Sequence, residues 1–409
     1  MDRRSFIKTS ALSLATTAAY GLPLAASAAD DEILVGGITD LSGGLDIYGK
    51  PMADCLTLAV EEWNAQGGLL GKKLKLLTYD PQSSMQLYTQ FAQQAALKDK
   101  VAVVHGGITS ASREVMRPVL DRYRTLYFYN TQYEGGVCDR NTFCTGVTPA
   151  QTVAKLVPYA MKKWGKKVYV VAADYNYGQI TSQWVKKFVQ ANGGTVASID
   201  FFPLDVTNFG PAISKIEAAK PDMVVSALVG GAHMSFYRQW AAAGLHTKIP
   251  IASTTFAVGN EQIVLSPVEC DGFLVSYNYF EGIDNPVNTA FKDRFHKRFG
   301  ADYPNITELA MGTYQGFYLW AQGVKKAGTL DRMKVIEALE SGISIDAPSG
   351  KVSIDAATHH CVLNVSIAEV RNKKLDIVET FRAQPPSDTS AVCNLIKNPR
   401  DNQQYVIKL

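Results

Sequence analysis

The chain has 409 residues, 46% of them hydrophobic, long enough for two domains that each bury a core. Its net charge of +3 falls to +1 once residues 1–28 are set aside, because that stretch carries Arg3, Arg4 and Lys8 against Asp2 alone. Such a balance gives no electrostatic footprint for nucleic acid or an acidic membrane.

Residues 1–28 read as an export signal. A basic start, "DRRSFIK", leads into the mildly apolar "ALSLATTAAYGLPLA" and an A-x-A cleavage site at Ala26-Ser27-Ala28. Arg3-Arg4 followed by Phe6, Ile7 and Lys8 resembles a twin-arginine signal. No later apolar run is long enough to cross a bilayer, so no direct membrane insertion is expected.

From there apolar β-rich runs alternate with helical stretches. "ILVGGI" (33–38), a helix at 51–66, "KLKLLTY" (73–79), a helix near 84–98, "VAVVHGG" (101–107), a helix near 110–122 and "TLYFYN" (125–130) form a first series. A helix near 149–164, "KVYVVAAD" (167–174), a helix near 179–191, "GTVASIDFF" (194–202), a helix near 208–219, "PDMVVSALVGG" (221–231), a helix near 232–243, "IPIAST" (249–254) and "GFLVSYNYF" (272–280) form a second. Strands that are apolar throughout, alternating with helices, predict parallel sheets covered on both faces. Both series use the same joint before their second strand, "NAQGG" and "QANGG", and this duplication implies two lobes of similar build. Helices near 285–299, 306–327 and 330–341 follow, then "GKVSID" and "CVLNVSIAEV". A chain that crosses three times accounts for this order, with lobe one at 29–150 and 279–349 and lobe two at 151–278 and 350–409.

Export permits disulfides. Cys138 and Cys144 flank a short turn-like segment and are the expected pair; Cys361 and Cys393, both in the C-terminal section, offer a second. Cys55 sits among Ala53, Leu56 and Ala59 on a helix, as a buried free thiol would. Cys270 has no evident partner. His359-His360-Cys361 reads as an exposed turn, with a metal site as the rival reading, and no Cys-x-x-Cys supports a metal elsewhere.

In open α/β sheets, ligands sit at the C-terminal ends of strands. Five loops there share one polar and aromatic character: 39–49, 106–114, "YFYNTQYEGG" (127–136), "DYNYG" (174–178) and "LVGGAHM" (228–234). Ser110 and Ser112 open a helix and equally suit plain capping; Tyr175 and Tyr177 equally suit packing. Gly107 suits backbone N–H donation. His105 ends a strand without an adjacent nucleophile. There is no G-x-S-x-G, H-E-x-x-H or P-loop, so neither an enzyme nor a cofactor is expected, and an amide hydrolase is disfavoured.

The start, "ITDLSGGLDIYGKPMADCLTLAVEEWNAQGGLLGKKLKLLTYD", resembles the exported binding proteins of the branched-chain amino acid transporter family. "YNTQYEGGVCDRNTFCTG" (129–146), "DYNY" (174–177), "PLDVTNFGPAISKIEAAKPDMVV" (203–225), "YNYFEGIDNPVN" (277–288) and "ELAMGTYQGFYLW" (308–320) resemble its urea and short-chain amide binders. The resemblance implies two Rossmann-like lobes joined by three crossovers, and a periplasmic receptor that passes a neutral solute (urea, formamide, acetamide) to a membrane ABC permease. By motif, Ser110 and Thr131 correspond to hydroxyls on the amide, while Tyr129, Tyr175 and Tyr177 correspond to rings that close on it. The segment 251–259 carries no acid until Glu261, unlike the amino-acid binders of the family. Two departures point the other way. Gly178 stands where amide binders often have Pro, and "SGGLDIYG" is closer to the amino-acid branch, which makes Asp46 a candidate for an N–H group.

Overall fold

The computed structural model describes residues 32–407; the export-signal expectation at 1–28 lies outside them. The first series of elements comprises β1 (Glu32–Ile38), α1 (Asp46–Ala65), β2 (Lys73–Tyr79), α2 (Met85–Gln93), β3 (Val103–Gly106), α3 (Ser110–Arg122), β4 (Leu126–Tyr129), β5 (Val137–Asp139) and β6 (Thr142–Cys144). The second comprises α4 (Val153–Trp164), β7 (Lys167–Ala173), α5 (Asn176–Ala191), β8 (Thr195–Phe202), α6 (Gly210–Ala219), β9 (Met223–Ala227), α7 (Gly231–Ala242), β10 (Ile251–Ser253), α8 (Glu261–Val264), α9 (Pro267–Cys270) and β11 (Leu274–Tyr277). The remainder comprises α10 (Pro286–Phe299), α11 (Glu308–Ala327), α12 (Arg332–Glu340), β12 (Ser344–Ala347), β13 (Gly350–Asp355), β14 (His360–Arg371), β15 (Lys374–Gln384), α13 (Ser387–Ser390) and β16 (Asn402–Gln404).

β3, β4, β9 and β11 are buried along their whole length, as strands covered by helices on both faces must be. In lobe one, β2, β1, β3, β4 and β6 are neighbours in parallel pairing. One face of that sheet packs on α1, α10, α11 and α12, the other on α2 and α3. In lobe two, β8, β7, β9, β10 and β11 pair in parallel, between α6 and α7 on one face and α4 and α5 on the other.

β14 joins the two sheets. Its first residue, His360, pairs with Cys144 of β6, while Ser366 to Glu369 pair antiparallel with β11. The change of lobe falls here and not at 349/350, which is the turn of the β12–β13 hairpin; β13 stays on the lobe-one side, paired with β12. The C-terminal segment also returns to lobe one, where β16 pairs with β5.

The disulfide expectation is corrected. Cys138 is bonded to Cys393, with Cα atoms 5.4 Å apart; Cys144 and Cys361 are free and buried, as are Cys55 and Cys270. The segment between Cys138 and Cys144 is not a simple turn but two short strands with different partners. β5 faces β16, whereas β6 is enclosed between β4 and β14, so Cys138 turns to the returning C-terminal segment. Cys144 and Cys361 lie in different cores.

Candidate functional site

The loops after β3 and β4 in lobe one meet those after β7, β9 and β10 in lobe two. Their local structure decides which side chains reach the cleft. Ser112 sits in the first turn of α3, which Thr109 caps: Ser112 Oγ accepts the N–H of Ile108 (3.1 Å) and Thr109 (3.0 Å), and Thr109 Oγ1 accepts the N–H of Ser112 (3.1 Å). This reciprocal box satisfies donors that a helix start leaves open. Ser110 donates to Glu134 Oε2 at 2.5 Å. Arg113 donates to the other Glu134 oxygen at 3.2 Å, both side chains being fully buried, and its guanidinium lies 4.9 Å from the Tyr129 ring centre and 4.4 Å from that of Tyr133. Tyr129 is itself fully buried and donates to the Ile108 carbonyl at 3.0 Å. Ser110, Ser112 and Tyr129 therefore stand behind the wall of the cleft and hold it in place.

Gly107 supplies a carbonyl, not an N–H. Its φ is +80°, and a Cβ there would lie 2.7 Å from Tyr127 Oη, so only glycine fits. Its oxygen accepts the Thr131 hydroxyl at 2.9 Å. With that proton committed, Thr131 Oγ1 offers a lone pair to a ligand N–H.

Between the lobes is a cavity of about 40 Å³. Lobe one lines it with Tyr48, Ile108, Thr109, Thr131, Gln132 and Leu309, and lobe two with Tyr175, Tyr177, Val229, Thr255 and Val258. Tyr177 donates to Thr254 Oγ1 at 2.9 Å. The Tyr175 hydroxyl has no partner among the described residues. Burial pushes both phenols above their ordinary range, so both stay protonated, and the Tyr175 proton remains available to a ligand. Gly178, at the start of the same helix, is needed for close approach: a Cβ would lie 2.0 Å from the Ala173 carbonyl oxygen. The lobes are fastened across the cleft by Gln132 Nε2 to the Thr254 carbonyl (2.9 Å) and the Gly230 N–H to Tyr48 Oη (3.3 Å). Gln132 Oε1 is left as an acceptor.

Asp46 does not face the cleft. It pairs with Lys50 at 2.6 Å on the outside of α1. Tyr48 lines the cavity in its place, because two residues of a helix turn the side chain through about 200°. Tyr48, Gln132 and Thr255 were not singled out from the sequence, although the first two lie inside loops that were.

No charged side chain lines this cavity. Two buried acids lie close by. Glu308 precedes the lining residue Leu309 and is pushed up to about 8 by burial, against the pull of the Val147 N–H. Glu261 accepts the Gly259 N–H at 3.1 Å, and its Oε1 lies 3.2 Å from His233. Among the described residues no group of three or more His, Cys, Asp or Glu side chains is placed to hold a metal ion. His359 and His360 are buried, not in an exposed turn: His359 pairs with Glu340 at 3.0 Å and stacks on Phe143, and His360 bonds Tyr133 and the Thr358 carbonyl. His105 is packed against Phe128, and burial holds it neutral, with its pKa lowered to about 3.

The sequence matches the family model described as periplasmic binding protein domain over residues 33–387. It is 24% identical to the Leu/Ile/Val-binding protein homolog 6 of Brucella melitensis over 368 residues, 87% of this chain and 92% of that one. An ABC-transporter solute-binding protein from R. palustris, solved in complex with 4-hydroxybenzoate, superposes with a TM-score of 0.78 at 25% identity, covering 87% of this chain and 98% of that one. A leucine-binding protein from Thermotoga maritima superposes at 0.75 and 20% identity, covering 86% and 99%. The fold is thus the two-lobed α/β architecture of these binding proteins.

Proposed function

We propose that this chain, which belongs to the periplasmic binding protein family, captures urea or a short-chain aliphatic amide between its lobes and delivers it to the membrane permease of an ABC transporter. The observation that carries the solute class is the cavity. At about 40 Å³ it is walled by hydroxyls, one carboxamide and apolar side chains, without a charge. One water needs about 10–15 Å³ on this scale, so the closed site suits a solute of a few heavy atoms. The polar groups match a primary amide or urea in kind. Tyr175 donates to the carbonyl, while Thr131 Oγ1 and Gln132 Oε1 accept N–H groups. Such a ligand has little apolar surface, so its affinity rests on hydrogen bonds made in a dry, closed site.

A second reading, an amino acid, is favoured by the names of the relatives and by the nearness of Glu261 and Glu308. It requires the lobes to close less far around a larger ligand. Calorimetric titration of the purified chain with urea, formamide, acetamide and a panel of amino acids separates the two. Saturable binding confined to the amides is expected; binding confined to leucine or its neighbours would replace the amide reading. No ammonia release from urea, formamide or acetamide is expected, and turnover would make the protein a hydrolase. No helix among the described residues is long and apolar enough to cross a membrane. Export through the twin-arginine pathway belongs to the same proposal, and periplasmic recovery that survives loss of that pathway would remove it.

A further inference from the structure

Leu309 lines the first cavity, and its neighbour Glu308 lines a second, of about 430 Å³. This second space is assembled from three places. Residues 277–282 belong to the crossover from lobe two to lobe one, residues 305–308 lead into α11 in lobe one, and Asn260 and Gln262 come from lobe two, with 374–377 of β15 at the rim. Its polar groups are unevenly satisfied. Glu308 is 2% exposed, and apart from the pull of the Val147 N–H its carboxylate oxygens have no hydrogen-bond partner. Gln262 is fully buried; it donates Nε2 to Asn260 Oδ1 at 3.2 Å, and its Oε1 has no partner. The buried phenols are spent, Tyr277 on the Phe256 carbonyl (2.7 Å) and Tyr279 on Asn288 (2.9 Å). Two buried acceptor groups, the Glu308 carboxylate and Gln262 Oε1, are therefore short of donors, an arrangement that a folded protein keeps at a cost. A complementary molecule brings N–H groups and positive charge.

We propose that this cavity is a second solute site, taking a small organic cation with several N–H donors, of the guanidinium or primary ammonium class, held by Glu308 and Gln262. Because both lobes and a crossover line it, an occupant contacts the two lobes together only when they are closed. Binding there then favours closure and raises affinity in the first cavity, and by linkage the reverse holds. The ionised carboxylate is the binding form. Burial pushes Glu308 up to about 8, so the cation displaces a proton, and its affinity rises with pH until Glu308 is ionised without it. The other titratable groups around this space are Tyr177, Tyr277 and Tyr279, held protonated by burial, Glu261 with its partner His233, Glu281 with its partner His296, and Lys374 and Asp376 at the rim.

The test is calorimetric titration of the full chain with methylguanidinium chloride at constant ionic strength, at pH 6, 7 and 8. Saturable 1:1 binding is expected, tightening about tenfold from pH 6 to 7 and about fivefold from pH 7 to 8 as Glu308 approaches ionisation on its own. Glu308→Gln, which keeps the shape of the side chain, should weaken it at least tenfold and flatten the pH dependence; an unchanged or higher melting temperature without ligand shows the variant folded. Tetramethylammonium, a cation without N–H groups, should not bind, and Thr131→Val, which alters only the first cavity, should bind methylguanidinium as before. The proposal is overturned by the absence of saturable binding, by equal binding to Glu308→Gln, or by equal binding of tetramethylammonium. Loss of methylguanidinium binding in Thr131→Val would merge the two cavities into one site and end the second-site proposal, leaving the amide reading to its own titration.

Discussion

On the lobe-one side of the cleft, Ser110, Ser112 and Tyr129 spend their hydroxyls within the lobe, on Glu134, on the start of α3 and on the Ile108 carbonyl. On the lobe-two side, Tyr177 engages only Thr254 of its own lobe, and Tyr175 has no partner among the described residues. Similar side chains thus serve different ends. Lobe one presents a floor held by a buried ion pair, in which Thr131 and Gly107 are fixed before a solute arrives, and lobe two supplies the groups that complete the site on closure. A fixed floor reduces the ordering that binding must impose.

The largest expected effect breaks the floor. Glu134→Gln leaves the fully buried Arg113 with Glu114 as its remaining acidic partner. Uncoupling a buried pair costs about 3–5 kcal/mol, so thermal unfolding should show a stability loss of that size and solute binding should fall with it. A stable variant would mean that the floor does not depend on the pair. Next comes Thr131→Val, which keeps the shape but removes the oxygen that bridges Gly107 and the cavity. Leaving such groups unpaired costs about 1–3 kcal/mol, or roughly ten- to a hundredfold in affinity for the amide, read by titration.

The two tyrosines of lobe two sharpen the contrast further. Tyr175→Phe removes a hydroxyl with no protein partner, so binding should weaken while thermal stability holds. Tyr177→Phe removes the bond to Thr254, worth about 1 kcal/mol, so stability should fall together with affinity. Equal stability losses in both would contradict the assignment of Tyr175 to the ligand. The smallest effect is expected for Asp46→Ala. An exposed i,i+4 pair is worth about 0.3–0.5 kcal/mol, and solute affinity should not change. A large loss would return Asp46 to the site.

The alternation of apolar strands with helices was legible because each element declares itself within a few residues, and the loops at strand ends were legible for the same reason. Thr131, Tyr175 and Tyr177 came from those loops and line the cavity. Local reading failed where the deciding partner is distant or where phase matters. The loop holding Tyr48 was found, but the choice between Asp46 and Tyr48 depends on where α1 begins to turn. Ser110 and Tyr129 carry ligand-like groups, and nothing nearby in sequence shows that Glu134 and the Ile108 carbonyl claim them first. Cys138 was matched to a cysteine six residues away because its true partner is 255 residues off, brought near only by the return of the C-terminal segment. The polar pair His359-His360 read as surface, but it is buried, with Glu340 and Tyr133 each bonding one of its rings.

That return has a topological consequence. Both cysteines of the bond lie on lobe one, and every strand of lobe two falls between them in sequence. Lobe two is therefore enclosed in a covalent ring closed on its neighbour. A protease that nicks the exposed 203–208 stretch leaves two fragments that stay joined at Cys138–Cys393. On a gel the nicked protein should run as one species without reductant and as two with it, and the fragments have no route to drift apart while the bond holds. A receptor working outside the cell's reducing interior would gain from this a tolerance to cutting that depends on neither its solute nor its core.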